Sequence, residues 1–347
     1  MIIRSDKFIA NPAVTCSIIV YNQKKWIGQC IDGMLEQVCD FPFNIVISDD
    51  CSTDGTQEVL KDYQARYPEK IKLVLNEKNG GIGANWATCC KALEGGEYVA
   101  FCDGDDFWSL PNKLQTQYDY MHAHQECVGT TTGCDTMDEN NVVYSDHTKY
   151  DDNPNPRIIT QQQIWTEFSN INMGGVFFKK SIFDKHMPFD AFIEYGFPLQ
   201  DWPAMLIMAG YGEIHFLPIF SFTYRLGHVS DAHPQDFGKL ERKMLRGKKM
   251  YQYLHSLFPT LPYNDAEYDR YANKVLLQFC IRSGNYPMAK KYAKLCDKKT
   301  VREYCCSTYL TFQMYRGMKK MSKSIRSRKS KKTASKPNGT VIQSSSN

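Results

Sequence analysis

The densest group of chemically useful side chains in the sequence is the acidic run Asp103-Gly104-Asp105-Asp106, which directly follows the apolar segment 97–102 (EYVAFC). Carboxylates this close together repel one another unless a cation neutralises them. Hard oxygen ligands suit Mg²⁺ or Mn²⁺, which keep open coordination positions for phosphate oxygens. The run therefore predicts a divalent metal site, and a solvated acidic turn is the alternative.

A second acidic pair, Asp49-Asp50, directly follows the apolar segment 43–48 (FNIVIS). A carboxylate at the end of a buried strand can accept hydrogen bonds from a base N–H or a ribose hydroxyl. The next residues, 52–55 (STDG), also suit a turn and a helix N-cap, so the pair alone does not decide its role. The glycine run 80–83 (GGIG) lacks the Gly-Lys-Ser/Thr ending of a P-loop and the G-x-G-x-x-G spacing, which favours a mobile turn.

A candidate base, Asp201, begins an apolar helix in the segment 199–202 (LQDW). A carboxylate packed against Trp202 and Pro203 can have a raised pKa, as a general base requires. A helix N-cap is the structural alternative. The sequence alone leaves both roles open.

Two further polar side chains, Arg225 and His228, follow an apolar segment in the run 224–228 (YRLGH). An arginine there can hold a pyrophosphate, and a histidine can be a metal ligand or a phosphate contact. His233 is a weaker candidate of the same kind. A structural role is the alternative for each histidine.

The order of the elements predicts that these groups meet at one edge of a sheet. Apolar, β-branched segments alternate with segments whose apolar residues recur every three or four positions. Strands are predicted at 14–21, 43–48, 71–75 and 97–102, and helices at 26–35, 56–67 and 84–94. This alternation is typical of a parallel α/β sheet, in which ligands bind outside the carboxyl ends of the strands. The polar clusters after these strands should converge there; they lie at 22–25, 49–55, 79–85 and 103–106.

Charge and composition divide the 347 residues into three predicted parts. Residues 1–235 carry the α/β pattern, 236–318 are helical, and 319–347 form a basic tail expected to be disordered. The tail holds nine Lys or Arg and no acidic residue, although the whole chain has a net charge of only +4. The body is therefore acidic, which argues against a nucleic-acid-binding face.

The 13 cysteines are odd in number and form no C-x-x-C pair. Several lie in apolar runs, which indicates free thiols in a reducing compartment and not a disulfide framework or zinc site. The sequence also lacks a secretory signal pattern and any run of 18 apolar residues. A cytoplasmic location is the expectation.

The ordered motifs together resemble glycosyltransferase family 2, the inverting nucleotide-sugar glycosyltransferases of GT-A fold. The similarity covers about residues 12–230. The motifs that carry it are CSIIVYN at 16–22, NIVISDDCSTDGT at 44–56, NGGIGAN at 79–85, YVAFCDGDDFW at 98–108, PNKL at 111–114, QDW at 200–202 and YRLGH at 224–228. The resemblance implies a Rossmann-like, mostly parallel sheet flanked by helices, here with a helical C-terminal extension.

The resemblance also implies roles for individual residues. Asp201 would be the base that deprotonates the acceptor hydroxyl, and Mn²⁺ or Mg²⁺ would bind Asp105, with Asp106 nearby and His228 as a further ligand. The nucleotide sugar would contact Tyr21, Asn22, Asp50, Asn85, Asp103, Gly104 and Arg225. The family usually has Glu-Asp where this chain has Gln200-Asp201, so the base is kept while the surroundings that tune its pKa differ.

The resemblance further implies a nucleotide-sugar donor, with a UDP-sugar the first expectation, and a glycan or lipid-linked saccharide acceptor in bacterial surface polysaccharide synthesis. The basic tail suits an anionic membrane surface, where each basic residue contributes about 1 kcal/mol, so peripheral attachment to the inner face of the membrane is a hypothesis. A non-catalytic sugar-binding module on the same fold is the main alternative. A nucleotidyltransferase would need a glycine-rich loop after the first strand, where this chain has YNQKK at 21–25. A phosphatase with an Asp nucleophile would need the acidic run on its first strand.

Overall fold

The computed structural model describes residues 1–145, 153–167, 172–226, 236–297 and 300–301. Within these ranges the chain forms eleven strands of one sheet and eleven α-helices. The strands are β1 Ile2–Ile3, β2 Val14–Val20, β3 Phe43–Asp49, β4 Ile71–Leu75, β5 Tyr98–Asp103, β6 Phe107–Trp108, β7 Cys127–Met137, β8 Val143–Tyr144, β9 Arg157–Ile159, β10 Phe177–Lys179 and β11 Glu213–Arg225. The helices are α1 Ile27–Leu35, α2 Thr56–Arg66, α3 Ile82–Lys91, α4 Lys113–Ala123, α5 Gln161–Glu167, α6 Lys180–His186, α7 Phe189–Glu194, α8 Asp201–Met208, α9 Phe237–Leu257, α10 Asp265–Arg282 and α11 Tyr286–Ala293.

The first half of the sheet is parallel, as the sequence predicts. Strands β4, β3, β2 and β5 lie side by side in that order and run in one direction. The chain moves outward from β2 to β3 and β4, then crosses back to place β5 on the other side of β2. Loops at the carboxyl ends of β2 and β5 therefore diverge and leave a crevice, which is where open α/β sheets bind ligands.

The second half of the sheet is mixed. Strand β10 pairs antiparallel with both β5 and β7, and β11 runs parallel to β7. Periodicity did not predict the short elements β1, β6, β9, α5, α6 and α7. Strands of two or three residues and helices of six or seven residues are too short to show their repeat clearly, so tertiary packing decides them.

Helices cover both faces of the sheet because successive strand residues point to opposite sides. In β2, Ile18 contributes to one apolar cluster with α1, α2 and α4, while Ile19 contributes to the other with α3, α6, α7 and α8. Both clusters are fully enclosed, which explains why β2 and β3 are apolar along almost their whole length. This arrangement confirms the predicted fold class.

Two compact units divide the chain, residues 1–265 and 266–347. Helix α9 packs within the first unit, where Met250 and Leu254 are buried in the same cluster as α8. The second unit contributes α11 and nearly all of α10 to the described helices. The domain boundary at 235/236 stays a prediction, and the basic tail lies outside the described residues.

All eleven cysteines in the described part of the chain are free, and most are buried. This agrees with the prediction of small apolar thiols. The doublet Cys305-Cys306 lies outside the described residues. In the same described ranges, no helix combines the length and the apolar character needed to span a bilayer.

A fully buried lysine, Lys113, lies at the start of α4. Its amino group is 4.6 Å from the centre of the Trp108 ring and donates to Gln117. Burial lowers the pKa of Lys113 to about 7. An unfolded lysine keeps a pKa of about 10.4, so between these values the unfolded chain binds one more proton than the native chain.

We therefore predict that Lys113 lowers the stability of the fold at neutral pH and below. The cost is fully present below pH 7 and disappears as the pH rises towards 10. Replacing Lys113 with Met should raise the free energy of unfolding by roughly 1–3 kcal/mol at pH 6, with the gain shrinking at pH 9.5. Urea denaturation at both pH values measures this difference.

Lys61→Met, at an exposed position on α2, is the matched control and should show no such trend. A Lys113→Met gain that is constant or larger at pH 9.5 would contradict the prediction.

Candidate active site

The loops after β2 and β3 are joined by backbone-to-side-chain hydrogen bonds. The Asn22 N–H donates to Ser52 Oγ at 2.8 Å, and the Thr53 N–H donates back to Asn22 Oδ1 at 2.8 Å. Asn22 has a φ of +53°, which asparagine tolerates better than most residues. Asn22 thus fixes the entrance to the crevice, while its neighbour Tyr21 is 43% exposed beside it.

The carboxylate of Asp50 connects the β3 loop to the glycine run. Its two oxygens accept hydrogen bonds from the Gly80 and Gly81 N–H groups at 2.9 and 2.8 Å. Burial raises the pKa of Asp50, and these two bonds oppose the rise. The glycine run is therefore held in place by Asp50, and a nucleotide base would have to use the remaining lone pairs of the carboxylate.

Asn85 is buried and has a structural position. Its Oδ1 accepts from Ser48 Oγ at 2.6 Å and from Asn76 at 2.9 Å, and its amide donates to the Ser48 carbonyl. These bonds tie α3 to the ends of β3 and β4. Asn85 therefore supports the crevice from beneath and does not line its surface.

Gly104 brings the acidic run close to the first loop. Its N–H donates to the Ile19 carbonyl at 3.0 Å, and a Cβ at this position would lie 2.6 Å from Gln23 Oε1. Gln23 Oε1 is buried and has no hydrogen-bond partner among the described residues. An acceptor without a partner beside the acidic run suits a ligand that supplies a donor or a positive charge. No pattern in the sequence marks Gln23, since only the fold places it beside the acidic run.

Arg225 holds the acidic run from the opposite side. Its backbone N–H donates to Asp106 Oδ1 at 2.9 Å, and its Nε donates to the Asp105 carbonyl at 2.9 Å. The rest of the guanidinium contacts Gln29 at 2.6 Å and Asn141 at 3.2 Å. Arg225 is buried and committed to these contacts, so the structure gives it a positioning role where the sequence suggested a phosphate contact.

The electrostatics of the acidic run fit a cation. Burial first, and then the charge of Asp105, raises the pKa of both Asp103 and Asp106 well above the usual range. Asp106 is almost fully buried, whereas Asp103 and Asp105 are partly exposed. Asp103 and Asp105 are therefore the residues that can present oxygens to a divalent ion, with Asp106 behind them.

A closed cage of ligands is not formed at the acidic run. Among the described residues, the one group of three ligand atoms within 4.8 Å of one another is Glu126, Glu213 and His215, and Glu213 and His215 lie at the other end of β11 from Arg225. Mg²⁺ typically binds one or two carboxylates and completes its shell with water and substrate phosphates. The acidic run fits that open arrangement. The predicted ligand His228 lies outside the described residues.

The candidate base Asp201 is the first residue of α8 and faces the acidic run. Its carboxylate accepts from the Trp202 N–H at 2.7 Å. Burial raises the pKa of Asp201, and the positive charge of Lys243 on α9 opposes the rise. The negative charge of Asp201 in turn raises the pKa of Asp103, so the two carboxylates share one electrostatic environment.

Gln200, the neighbour of Asp201 in the chain, contacts Asp103 across the crevice. Its side-chain amide donates to both oxygens of Asp103, at 3.2 and 3.3 Å, and the residue is 3% exposed. A glutamate at position 200 would add a further negative charge beside Asp103 and Asp201. The neutral amide of Gln200 adds no charge and orients Asp103 through its hydrogen bonds. Tyr224 also borders the group, since burial and the charges of Asp106 and Asp105 raise its pKa.

Comparison with known proteins identifies similar sequences and a shared fold. The model of the family described as glycosyl transferase family 2 matches residues 15–187. An uncharacterized protein of Mycobacterium tuberculosis is 39% identical over 131 residues, which are 38% of this chain and 36% of that protein. TuaG of Bacillus subtilis, provisionally named a teichuronic acid biosynthesis glycosyltransferase, is 35% identical over 130 residues, 36% of this chain and 48% of that protein. The matched segment thus spans less than half the length of these relatives.

Solved structures share the fold at low sequence identity. S. aureus TarS in complex with UDP-GlcNAc has a TM-score of 0.51 at 16% identity, covering 88% of this chain and 91% of that one. A mannosyltransferase from Pyrobaculum calidifontis in complex with GDP-Man and Mn²⁺ has a TM-score of 0.50 at 15% identity, covering 90% and 84%. The architecture is therefore that of the GT-A glycosyltransferases. The chain belongs to glycosyl transferase family 2.

The link between Lys243 and Asp201 gives a pH prediction. A base works in its ionised form, so the rate falls as the pH drops through the pKa of Asp201. Replacing Lys243 with Met removes the charge that lowers this pKa. We expect the acidic limb of the kcat/KM profile to move to higher pH, while the limb on the alkaline side stays in place.

The charges facing Asp201 that enter this prediction are Lys243 on α9, Asp103 on β5 and Tyr224 on β11. Lys243→Arg is the matched control because it keeps the charge. A Lys243→Met profile that coincides with the wild-type profile would show that Asp201 is not the titrating base.

Proposed function

We propose that this protein is a metal-dependent, inverting glycosyltransferase that moves a sugar from a nucleoside diphosphate sugar to a hydroxyl group of a glycan or lipid-linked saccharide. The observation that carries the proposal is the meeting of Asp103, Asp105 and Asp201 in one crevice at the carboxyl ends of β2 and β5. A metal-binding pair and a carboxylate with a raised pKa are the two components that such a transfer needs.

The nucleotide side of the crevice is assigned to the loops after β2, β3 and β5. Tyr21 offers an exposed ring next to the loop fixed by Asn22, and Asp50 lies beneath the glycine run. The structure of TarS contains UDP-GlcNAc, and that of the P. calidifontis mannosyltransferase contains GDP-Man and Mn²⁺. These two neighbours support a nucleotide-sugar donor and a divalent metal for this chain, with a UDP-sugar as our first choice.

Each residue of the crevice has one task in the proposed reaction. Asp105, with Asp103 beside it, would hold the divalent ion, which when bound supplies charge screening for the departing diphosphate. Gln200 orients Asp103, and Arg225 fixes the backbone at Asp105. Asp201 removes the proton from the acceptor hydroxyl as its oxygen attacks the anomeric carbon. The bond to the diphosphate breaks on the opposite face, so the configuration inverts.

The biological setting we propose is bacterial surface polysaccharide synthesis, at the cytoplasmic face of the membrane. The name of TuaG places that relative in teichuronic acid biosynthesis, which supports a polysaccharide as the end product. A non-catalytic nucleotide-sugar-binding module is the other candidate. Such a module would bind the nucleotide sugar but would not release the nucleotide.

A donor screen tests the proposed activity. We expect Mn²⁺- or Mg²⁺-dependent release of UDP, GDP or dTDP from one nucleotide sugar, measured as free nucleotide. Asp105→Ala should lower this release by about a hundredfold or more, since it removes the carboxylate assigned to the ion. Asp119→Ala is the matched control, because it makes the same substitution on the exposed side of α4, away from the crevice. It should leave the release unchanged.

Turnover that is equally fast in EDTA, or unchanged in Asp105→Ala, would contradict the metal assignment. Tight, metal-dependent binding of a nucleotide sugar without release of nucleotide, even with saccharide acceptors present, would favour the binding module.

The basic tail gives a separate prediction about location. We expect the full chain to sediment with vesicles that contain 30 mol% anionic lipid and a variant truncated after 318 to do so several-fold less. The reason is the loss of nine basic residues that are attracted to an anionic surface. Vesicles of neutral lipid are the control. Equal sedimentation of both proteins with anionic vesicles would contradict peripheral attachment through the tail.

A further inference from the structure

One side of α9 is lined by basic residues. Lys239, Arg242, Lys243 and Arg246 recur at intervals of three and four residues, so they lie along one face of the helix. We call these four residues the α9 basic stripe. The opposite flank carries Glu241, and Lys248 there pairs with Asp265 at 3.8 Å.

The direction in which the stripe points is fixed by the packing of α9. Leu240, Gly247, Met250 and Leu254 are buried, and the Asp236 side chain caps the first turn by accepting from the Lys239 N–H at 2.8 Å. With both ends of the helix anchored, the stripe cannot rotate away from its neighbours. Arg242 and Arg246 are exposed at its surface.

The stripe runs along the crevice between the glycine run and the base. A Cβ placed on Gly196 would lie 3.2 Å from Arg246 Nε, and one on Gly81 would lie 3.8 Å from Arg246 Nη1. Both glycines have positive φ values and leave the guanidinium room above their backbones. One turn earlier, the charge of Lys243 acts on Asp201. Arg246 thus lies between the glycine run and Gly196, and Lys243 lies on the side of the catalytic base Asp201.

We propose that the α9 basic stripe binds a phosphate group of the acceptor, so that the acceptor is a phosphate-bearing saccharide. This inference rests on the proposed function, because the group beside the base Asp201 is then the acceptor. The donor diphosphate is assigned to the acidic run, where a divalent ion accounts for its charge. The stripe supplies the cations for a second anion, and an arginine fork matches phosphate oxygens bidentately.

The test compares sugars that differ only in a phosphate. Hexose and N-acetylhexosamine 1-phosphates, each beside its neutral sugar, are titrated by calorimetry into full-length protein saturated with Mn²⁺ and the nucleoside diphosphate found in the donor screen. We expect at least one 1-phosphate to bind about tenfold or more tightly than its neutral sugar. The double variant Arg242→Gln/Arg246→Gln should lose this preference.

Lys248→Gln is the matched control, since it removes one charge from the opposite flank of the same helix, and it should keep the preference. Equal binding of phosphorylated and neutral sugars by the wild-type protein would overturn the proposal. So would a preference that survives in the double variant, or a double variant that changes the KM of the donor and not the preference. Loss of binding to anionic vesicles in the double variant, without loss of the preference, would assign the stripe to the membrane and also overturn it.

Failure of the proposed function is recognised separately. If the wild-type protein releases no nucleotide from any donor even with saccharide acceptors present, the proposed transferase activity falls, independently of the sugar-binding result. If it releases nucleotide but shows no preference for a phosphate, only the acceptor assignment falls.

Discussion

The burial of several carboxylates in one crevice is the constraint on which this site depends. Asp103, Asp106 and Asp201 all have raised pKa values, with burial as the largest cause of each. Such a group costs stability unless hydrogen bonds or a cation offset the charge. The protein supplies hydrogen bonds from Gln200 and from the Arg225 backbone, and the charge of Arg225 opposes the rise in the pKa of Asp106. The pKa of Asp106 still lies well above its usual range, which suits a site that a cation completes.

The sheet is what makes this arrangement durable. Strands β2, β3 and β5 are enclosed on both faces by helices, and their loops are tied to one another by Asn22, Ser52 and the bonds from Asp50 to the glycine run. Gly104 permits the acidic run to approach the β2 loop closely enough for a hydrogen bond to Ile19. A rigid scaffold of this kind holds groups that repel one another in a fixed geometry, and active sites are commonly preorganised in this way.

Sequence patterns predicted the parallel half of the fold well because each strand and helix there is long enough to show its period. They also predicted that the four polar clusters converge, since that follows from strand order alone. They did not predict the antiparallel insertion of β10 between β5 and β7, because that pairing is purely tertiary. Residue types gave the candidate ligands, but not the partners that they meet in the fold. Arg225 and Asn85 fit a ligand contact by type, yet long-range contacts with Gln29 and Ser48 give them supporting positions. Gln23 and Tyr224 were missed because only the folded chain places them at the acidic run.

The relation between the acidic run and a cation can be tested most directly by nucleotide binding. UDP, GDP and dTDP would be titrated by calorimetry into the protein with Mn²⁺ and, separately, with EDTA. We expect one nucleotide to bind at least about tenfold more tightly with Mn²⁺, and Asp105→Ala to abolish that difference. Equal affinity with and without the metal, or a metal effect that persists in Asp105→Ala, would show that the enclosed carboxylates do not share a cation with the donor.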